Sequence, residues 1–239
     1  MNKKIFSILV ILLVFALACV CPALTSLGNT PSANNPPTEP VTPTLQAPQQ
    51  PIVSSILFQD DFSNTSSGWN RATDDSASTD YENGGYRINV IQATYFAMAI
   101  PYQSFQNDVS IEVDTTKIGG PDDNAFGVIC RYQDVENYYY FYISSDGYVG
   151  IGIDNAGTKT IISSPDGNLI SDSSINQGAA SNHLRADCIG NSLTLYVNGT
   201  QVASATDSTF SGGDVGLVAR TYSVGGADLM FDNFFVNKP

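Results

Sequence analysis

The residues of this chain best equipped for chemistry are tyrosines. Five of the six side chains in Tyr138-Tyr-Tyr-Phe-Tyr-Ile143 are aromatic, and a second strand-like run, Tyr148-Val-Gly-Ile-Gly-Ile153, follows Ser144-Ser-Asp-Gly147. Strand side chains alternate between faces, so the register of this hairpin decides where every ring points. A two-residue Asp-Gly turn would set Val149, Ile151 and Ile153 beside the even-numbered tyrosines. A three-residue type I turn closed by a glycine bulge, which Ser-Ser-Asp-Gly suits equally well, shifts the pairing by one. The second register is preferred, because it joins Tyr139, Phe141 and Ile143 to the three aliphatic residues in a face that is apolar except for one hydroxyl. The other face then carries Tyr138, Tyr140, Tyr142 and Tyr148 above Gly150 and Gly152. Phenol rings beside glycines form a shallow platform on which a sugar could stack, with hydroxyls left to hydrogen-bond. Arg131, Arg185, Asp187 and Tyr196 share the outward parity and could add polar contacts. Tyrosines that merely cover a sheet are the alternative account.

Four cysteines are present. Cys130 shares a strand face with Phe126 and Val128, and Cys188 shares one with Leu184 and Ala186, so both thiols point into a core. In an oxidising compartment they could form a disulfide, closing a loop of about 58 residues and stabilising the fold by roughly 3–4 kcal/mol. Two buried free cysteines are the alternative. The single histidine, His183, makes a histidine-based metal cage or proton relay improbable.

These residues need strands to position them, and residues 55–237 read as strand and turn throughout. Val109-Ser-Ile-Glu-Val-Asp114 alternates apolar and polar. Leu193–Val197 and Thr200–Ser204 flank Asn198-Gly199, a pair that tolerates the positive φ values of a type I′ turn. Gly190-Asn191 and Asn155-Ala-Gly157 mark further reversals, and no window sustains a helical period. Many short strands with turns every 8–12 residues or so predict an all-β, two-sheet antiparallel sandwich with minimal helix.

The N-terminus sets the address. Lys3 and Lys4 precede about 14 mostly apolar residues, too few to span a bilayer comfortably, and Ala16-Leu-Ala18 closes the run, so residues 1–18 read as a secretory signal. Cleavage there takes the net charge from −13 to −15, since two lysines and no acid are lost. So acidic a protein lacks the positive patch that nucleic acid or an anionic membrane surface requires. Residues 19–54 hold eight of the twelve prolines, seven of them between residues 31 and 51, among Thr, Asn, Gln and Ser. Such a segment buries too little to offset its ordering entropy and reads as an extended stalk.

Two resemblances sharpen this reading. Ala16-Leu-Ala-Cys19 resembles a bacterial lipobox, with Ala16 where leucine is usual, which implies lipidation of Cys19 and an extracytoplasmic, membrane-anchored or secreted protein. Phe58-Gln-Asp-Asp-Phe62, Ser-Ser-Gly-Trp69, Glu82–Ile88, Asn137–Phe141, Leu195–Gly199, Phe210–Leu217 and the closing Phe231-Asp-Asn-Phe-Phe-Val236 resemble a concanavalin A-like jelly roll, of the LamG, laminarin-type or 3-keto-disaccharide hydrolase-like kind. That resemblance implies carbohydrate or protein binding, with glycosidases among its members. Glu112-Val-Asp114-Thr-Thr-Lys117 is similar to the Glu-x-Asp-x-x-Glu strand of laminarinase-type glycosidases. Retaining hydrolysis needs two carboxyl groups about 5–5.5 Å apart, and Lys117 cannot supply the second, so solvated strand residues are the better account. The same resemblance implies a structural Ca²⁺ tying the terminal strands, for which Asp61 and Asp232 are the candidate ligands, with Asp60 and the loop Asp122-Asp-Asn124 also rich in oxygen.

No nucleophile elbow, phosphate loop or metalloprotease motif occurs. The sequence therefore predicts an exported, lipid-anchored domain that binds rather than catalyses. Its expected ligand is a glycan or cell-surface polysaccharide, held by Tyr138, Tyr140, Tyr142, Tyr148, Arg131, Arg185 and Tyr196. A glycoside hydrolase-like enzyme and a protein-adhesion module are the alternatives.

Overall fold

The computed structural model describes residues 55–106 and 108–239. The predicted signal segment 1–18, Cys19 and the stalk to residue 54 lie outside the described residues. The strands run, in chain order, β1 Ile56–Asp60, β2 Ala72–Thr73, β3 Ala77–Glu82, β4 Gly85–Val90, β5 Phe96–Ala99, β6 Ser104–Phe105 and β7 Val109–Gly119. They continue with β8 Asn124–Asp134, β9 Asn137–Ile143, β10 Tyr148–Asn155, β11 Thr158–Ile161 and β12 Ile170–Ser171. The last five are β13 Ser181–Ile189, β14 Ser192–Val197, β15 Thr200–Thr206, β16 Gly213–Thr221 and β17 Ala227–Asn237. No helix occurs among the described residues, as the absence of a helical period led us to expect.

Two antiparallel sheets result. The first is ordered β15-β14-β13-β7-β17-β4-β3-β2 with β1 beside β17; the second is ordered β11-β10-β9-β8-β16-β5, with β12 beside β10 and β6 beside β16. Alternation along each strand fills the space between them. Val109, Ile111 and Val113 of β7 and Leu184, Ala186 and Cys188 of β13 join Phe126, Val128 and Cys130 of β8 and Tyr139, Phe141 and Ile143 of β9 in one buried cluster. Each fully buried large apolar side chain contributes about 1.5–3 kcal/mol.

The disulfide expected between Cys130 and Cys188 is present. Because β8 lies in the second sheet and β13 in the first, it staples the two layers covalently.

Local chemistry sets the registers. Asn198 and Gly199 take φ values of 51° and 84°, the pair of positive angles a type I′ turn demands. At the tyrosine hairpin, Gly147 has φ 95° and its N–H donates to the Ser144 carbonyl at 3.0 Å, while Ser144 N–H donates to the Tyr148 carbonyl at 2.8 Å. The resulting pairs are Ile143 with Val149, Phe141 with Ile151 and Tyr139 with Ile153, the bulged register preferred from sequence.

The outer faces of the two sheets differ in kind. That of the first is polar, carrying Glu112, Asp114 and His183 and the Arg87–Asp228 ion pair at 2.6 Å. The outer face of the second buries a separate cluster containing Ile129, Tyr138, Tyr140, Tyr142 and Val218, with Phe96, Met98, Tyr132, Ile161, Leu169 and Tyr222 packed on it. Antiparallel sheets ordinarily turn polar residues to water, so a doubly apolar sheet calls for an explanation.

Candidate ligand-binding cleft

A cleft of about 600 Å³ opens on that outer face. Its floor includes Tyr140 and Tyr142 of β9; across the sheet it runs from Lys159 and Ile161 of β11 to Arg220 at the end of β16 and the following Tyr222. Leu169 and its neighbours, from the connection between β11 and β12, complete the lining. Asp123 and Asp146 sit at one end of the sheet, where β8 begins and β9 turns into β10. The cleft thus combines aromatic faces, two carboxylates and a guanidinium, the mixture of apolar wall and few polar groups that small-molecule sites use.

Two features make this floor unusual. Gly150 and Gly152 of β10 leave room above the sheet: a Cβ on Gly152 would strike the Tyr140 ring, and one on Gly150 would strike Leu169. Tyr142 is 1% exposed, yet its hydroxyl has no hydrogen-bond partner among the described residues. Burial pushes the Tyr142 phenol well above its ordinary range and Tyr140 upward too, with the Arg220 charge acting the other way in both. Both hydroxyls therefore stay protonated and able to donate. Asp146 is raised by burial and by the charges of Asp123 and Asp122.

The open platform predicted from sequence is corrected here. The right rings share the right face, but Tyr138, Tyr140 and Tyr142 are 0, 3 and 1% exposed, against 42% for Tyr148. Side chains from β5, β11 and the β11–β12 connection cover them. Tyr140, Tyr142 and Tyr148 line the cleft and Tyr138 does not. Arg131 is corrected as well. The irregular pairing after Cys130 and a φ of 53° turn it inward, where it is buried and donates to the carbonyls of Phe210 at 2.9 Å and Gly190 at 2.8 Å. Arg185 and Tyr196 lie on the first sheet, stacked on each other at 3.7 Å, with Asp187 at 3.4 Å from Arg185. Parity alone cannot tell which sheet a strand joins.

The carboxylate strand is occupied by its own neighbours. His183 Nδ1 lies 2.8 Å from Asp114 Oδ1 and Nε2 lies 3.3 Å from Glu112 Oε2. Asn233 and Asn237 donate to the remaining oxygens at 2.9 and 3.2 Å. An imidazole bonded to both carboxylates leaves no approach for a glycosidic bond between them, and the Lys117 amine pairs with Asp122.

The calcium candidates are likewise dispersed. Asp61 accepts from the Ser63 N–H at 3.0 Å, Asp232 from the Asn233 N–H at 2.7 Å, and Asp60 from Trp69 Nε1 at 2.9 Å. Asn124 is buried in bonds to Pro121 and Ser145. No group of three or more metal-binding side chains is assembled among the described residues.

Sequence reasoning missed Arg220, Tyr222, Asp146 and Leu169. The first two share one face of β16 and its extension with Val218, a parity legible in Val218-Ala-Arg-Thr-Tyr222. Asp146 falls in Ser144-Ser-Asp-Gly147, where the pattern signals a turn and nothing of the cleft.

No protein-family model matches the chain, and no curated protein matches it. Among solved structures it is similar to the carbohydrate binding module CBM66 from Bacillus subtilis, with 20% identity and a TM-score of 0.57 over 71% of this chain and 95% of that one. It is similar also to a Bacillus subtilis protein of unknown function with a galectin-like fold, at 10% identity and TM-score 0.55, covering 77% and 96%. The Bacillus licheniformis beta-glucanase matches at 12% identity and TM-score 0.54, covering 76% and 98%. At such identities the likeness is one of fold, and the fold is a jelly-roll sandwich of the concanavalin A type.

Proposed function

We propose that this is an exported, lipid-anchored surface protein that binds carbohydrate in the cleft of its second sheet. The observation that carries the reading is the Tyr142 hydroxyl, buried, neutral and unpartnered on an aromatic floor. Leaving a buried polar group unpaired costs about 1–3 kcal/mol, and a sugar hydroxyl entering the cleft would remove that cost. Tyrosine faces suit sugar faces, and Arg220 with Asp123 and Asp146 offers the donors and acceptors that hydroxyls need. The solved structures of similar fold include a carbohydrate binding module and a beta-glucanase.

The test is calorimetry of the mature protein with laminarin, xylan and levan, beside a Tyr142→Phe variant. At least one polysaccharide should bind, and the variant should bind about five- to tenfold more weakly, a loss of roughly one hydrogen bond. Its thermal stability should be equal or higher, because the deleted hydroxyl had no partner. Equal binding by both proteins would contradict the assignment. For the anchor, the signal and Cys19 predict a diacyl or triacyl mass on the mature N-terminus, and release of a Cys19→Ala variant as soluble protein. An unmodified mature N-terminus would remove the anchor.

One observation favours a second reading, glycoside hydrolysis. Asp146 has a raised pKa and feels the Asp123 charge in the same cleft, the environment a general acid beside a carboxylate would have. Reducing-end release from a bound polysaccharide, lost in Asp146→Asn with binding retained, would establish it.

A further inference from the structure

Arg220 stands apart from every other arginine in the chain. Of five arginines, four have a carboxylate partner: Arg71 with Asp80 at 2.7 Å, Arg87 with Asp228 at 2.6 Å, Arg131 with Asp108 at 3.4 Å and Arg185 with Asp187 at 3.4 Å. Arg220 has none. Its guanidinium lies over the Tyr222 ring, 4.5 Å from the centroid; its Nε is buried without a hydrogen-bond partner, a state it shares with the Nε of Arg131 and Arg185, so the missing carboxylate is what distinguishes it. Scarcity of acids cannot be the reason, because the chain holds 23 Asp and Glu. Asp123 and Asp146 even line the same cleft, yet neither pairs with it. The cleft's other cation is committed, since Lys159 pairs with Asp154 and covers the Phe96 ring.

We infer that Arg220 is the specificity-determining residue of the cleft, and that it selects a neutral sugar by donating to two adjacent oxygens. The inference rests on the reading of the cleft as a glycan site and adds the class of glycan. A guanidinium presents donors in a fixed planar fork, and stacking on Tyr222 holds that plane in place. Such a fork fits a carboxylate or a vicinal pair of oxygens equally well. The surroundings decide between them. Asp123 and Asp146 in the same cleft, within a chain of net charge −13, would repel the carboxylate of an acidic sugar. A hydroxyl can accept from Arg220 and donate to a carboxylate, so a neutral sugar uses both signs of charge.

The test is calorimetry and affinity electrophoresis of the mature protein on laminarin, xylan, levan and polygalacturonate, at about 50 and about 500 mM NaCl, a range over which exposed charge attraction is largely screened. A neutral polysaccharide should bind with nearly the same affinity at both salts, and polygalacturonate should not bind. Arg220→Lys keeps the charge and loses the fork; it and Arg220→Gln should each weaken binding about tenfold or more, as a charge-assisted hydrogen bond would, with unchanged thermal unfolding. Salt-sensitive retention on polygalacturonate would overturn the neutral-sugar assignment. Full binding by Arg220→Lys, with Tyr142→Phe still weakened, would overturn the role of Arg220 alone. Failure of the wild-type protein to bind any of the four would overturn both this inference and the glycan reading.

Discussion

Single residues show where sequence and structure part. Tyr138, Tyr140 and Tyr142 were legible as one face because alternation is a local property of the backbone. Their burial was not, because the cover comes from Phe96, Leu169 and Tyr222, which lie 42, 31 and 84 positions from Tyr138 and reach the cluster only on folding. Arg131 was misread for a local reason, the irregular pairing and positive φ that turn it inward. A different tyrosine gives a prediction at this scale. The Tyr139 hydroxyl donates to Asp207 Oδ1 at 2.5 Å and accepts from the Phe210 N–H at 3.1 Å. Partial burial opposes ionisation of Asp207, but bonds from Tyr139 and Thr209 outweigh it and hold the carboxyl below its usual range. A depressed carboxyl stabilises the fold above its unfolded value, about 4, and loses that contribution as pH falls through the folded value. Tyr139→Phe should therefore cost about 1.5–3 kcal/mol at pH 7, a bond to a charged group, and less in acid below the folded value of Asp207. Urea titrations at the two pH values measure the difference; an equal loss at both would remove Asp207 from the account.

At the scale of elements, the hairpin of β9 and β10 carries the site because its turn sets the register and its glycines set the space. The sequence specified the turn through Gly147, while the cleft above Gly150 and Gly152 depended on β11, β16 and the β11–β12 connection arriving from elsewhere. The two glycines should respond differently to a methyl group. Gly152→Ala meets the rigid Tyr140 ring and should cost about 1–3 kcal/mol, as overpacking does. Gly150→Ala meets the end of the flexible Leu169 side chain and, in ordinary contact, Ile161, and should cost less. Equal melting temperatures for the two variants would contradict this description of the floor. The disulfide between β8 and β13 makes a second prediction. Replacing both cysteines by serine should lower stability by about 3–4 kcal/mol through the freer unfolded chain, measured by denaturant titration, and should leave binding intact because the bridge is remote from the cleft's lining. Unchanged stability would show that packing alone joins the sheets.

At the scale of the whole molecule, the two-sheet architecture was legible because alternation, turn chemistry and cysteine parity all pointed to it. The position of the site was not, because the sandwich has two outer faces and strand parity does not distinguish them. Arg185, Tyr196 and His183 lie on one; Tyr142, Arg220 and Tyr222 line a cleft on the other. The account stands on the second being the binding face. The most direct measurement is amide chemical-shift mapping of the mature protein titrated with laminari-, xylo- and fructo-oligosaccharides. Binding in the cleft predicts shifts at Gly150, Gly152, Tyr142, Leu169 and Arg220, with His183, Arg185 and Tyr196 unmoved. Shifts confined to His183, Arg185 and Tyr196, with the cleft unmoved, would contradict it.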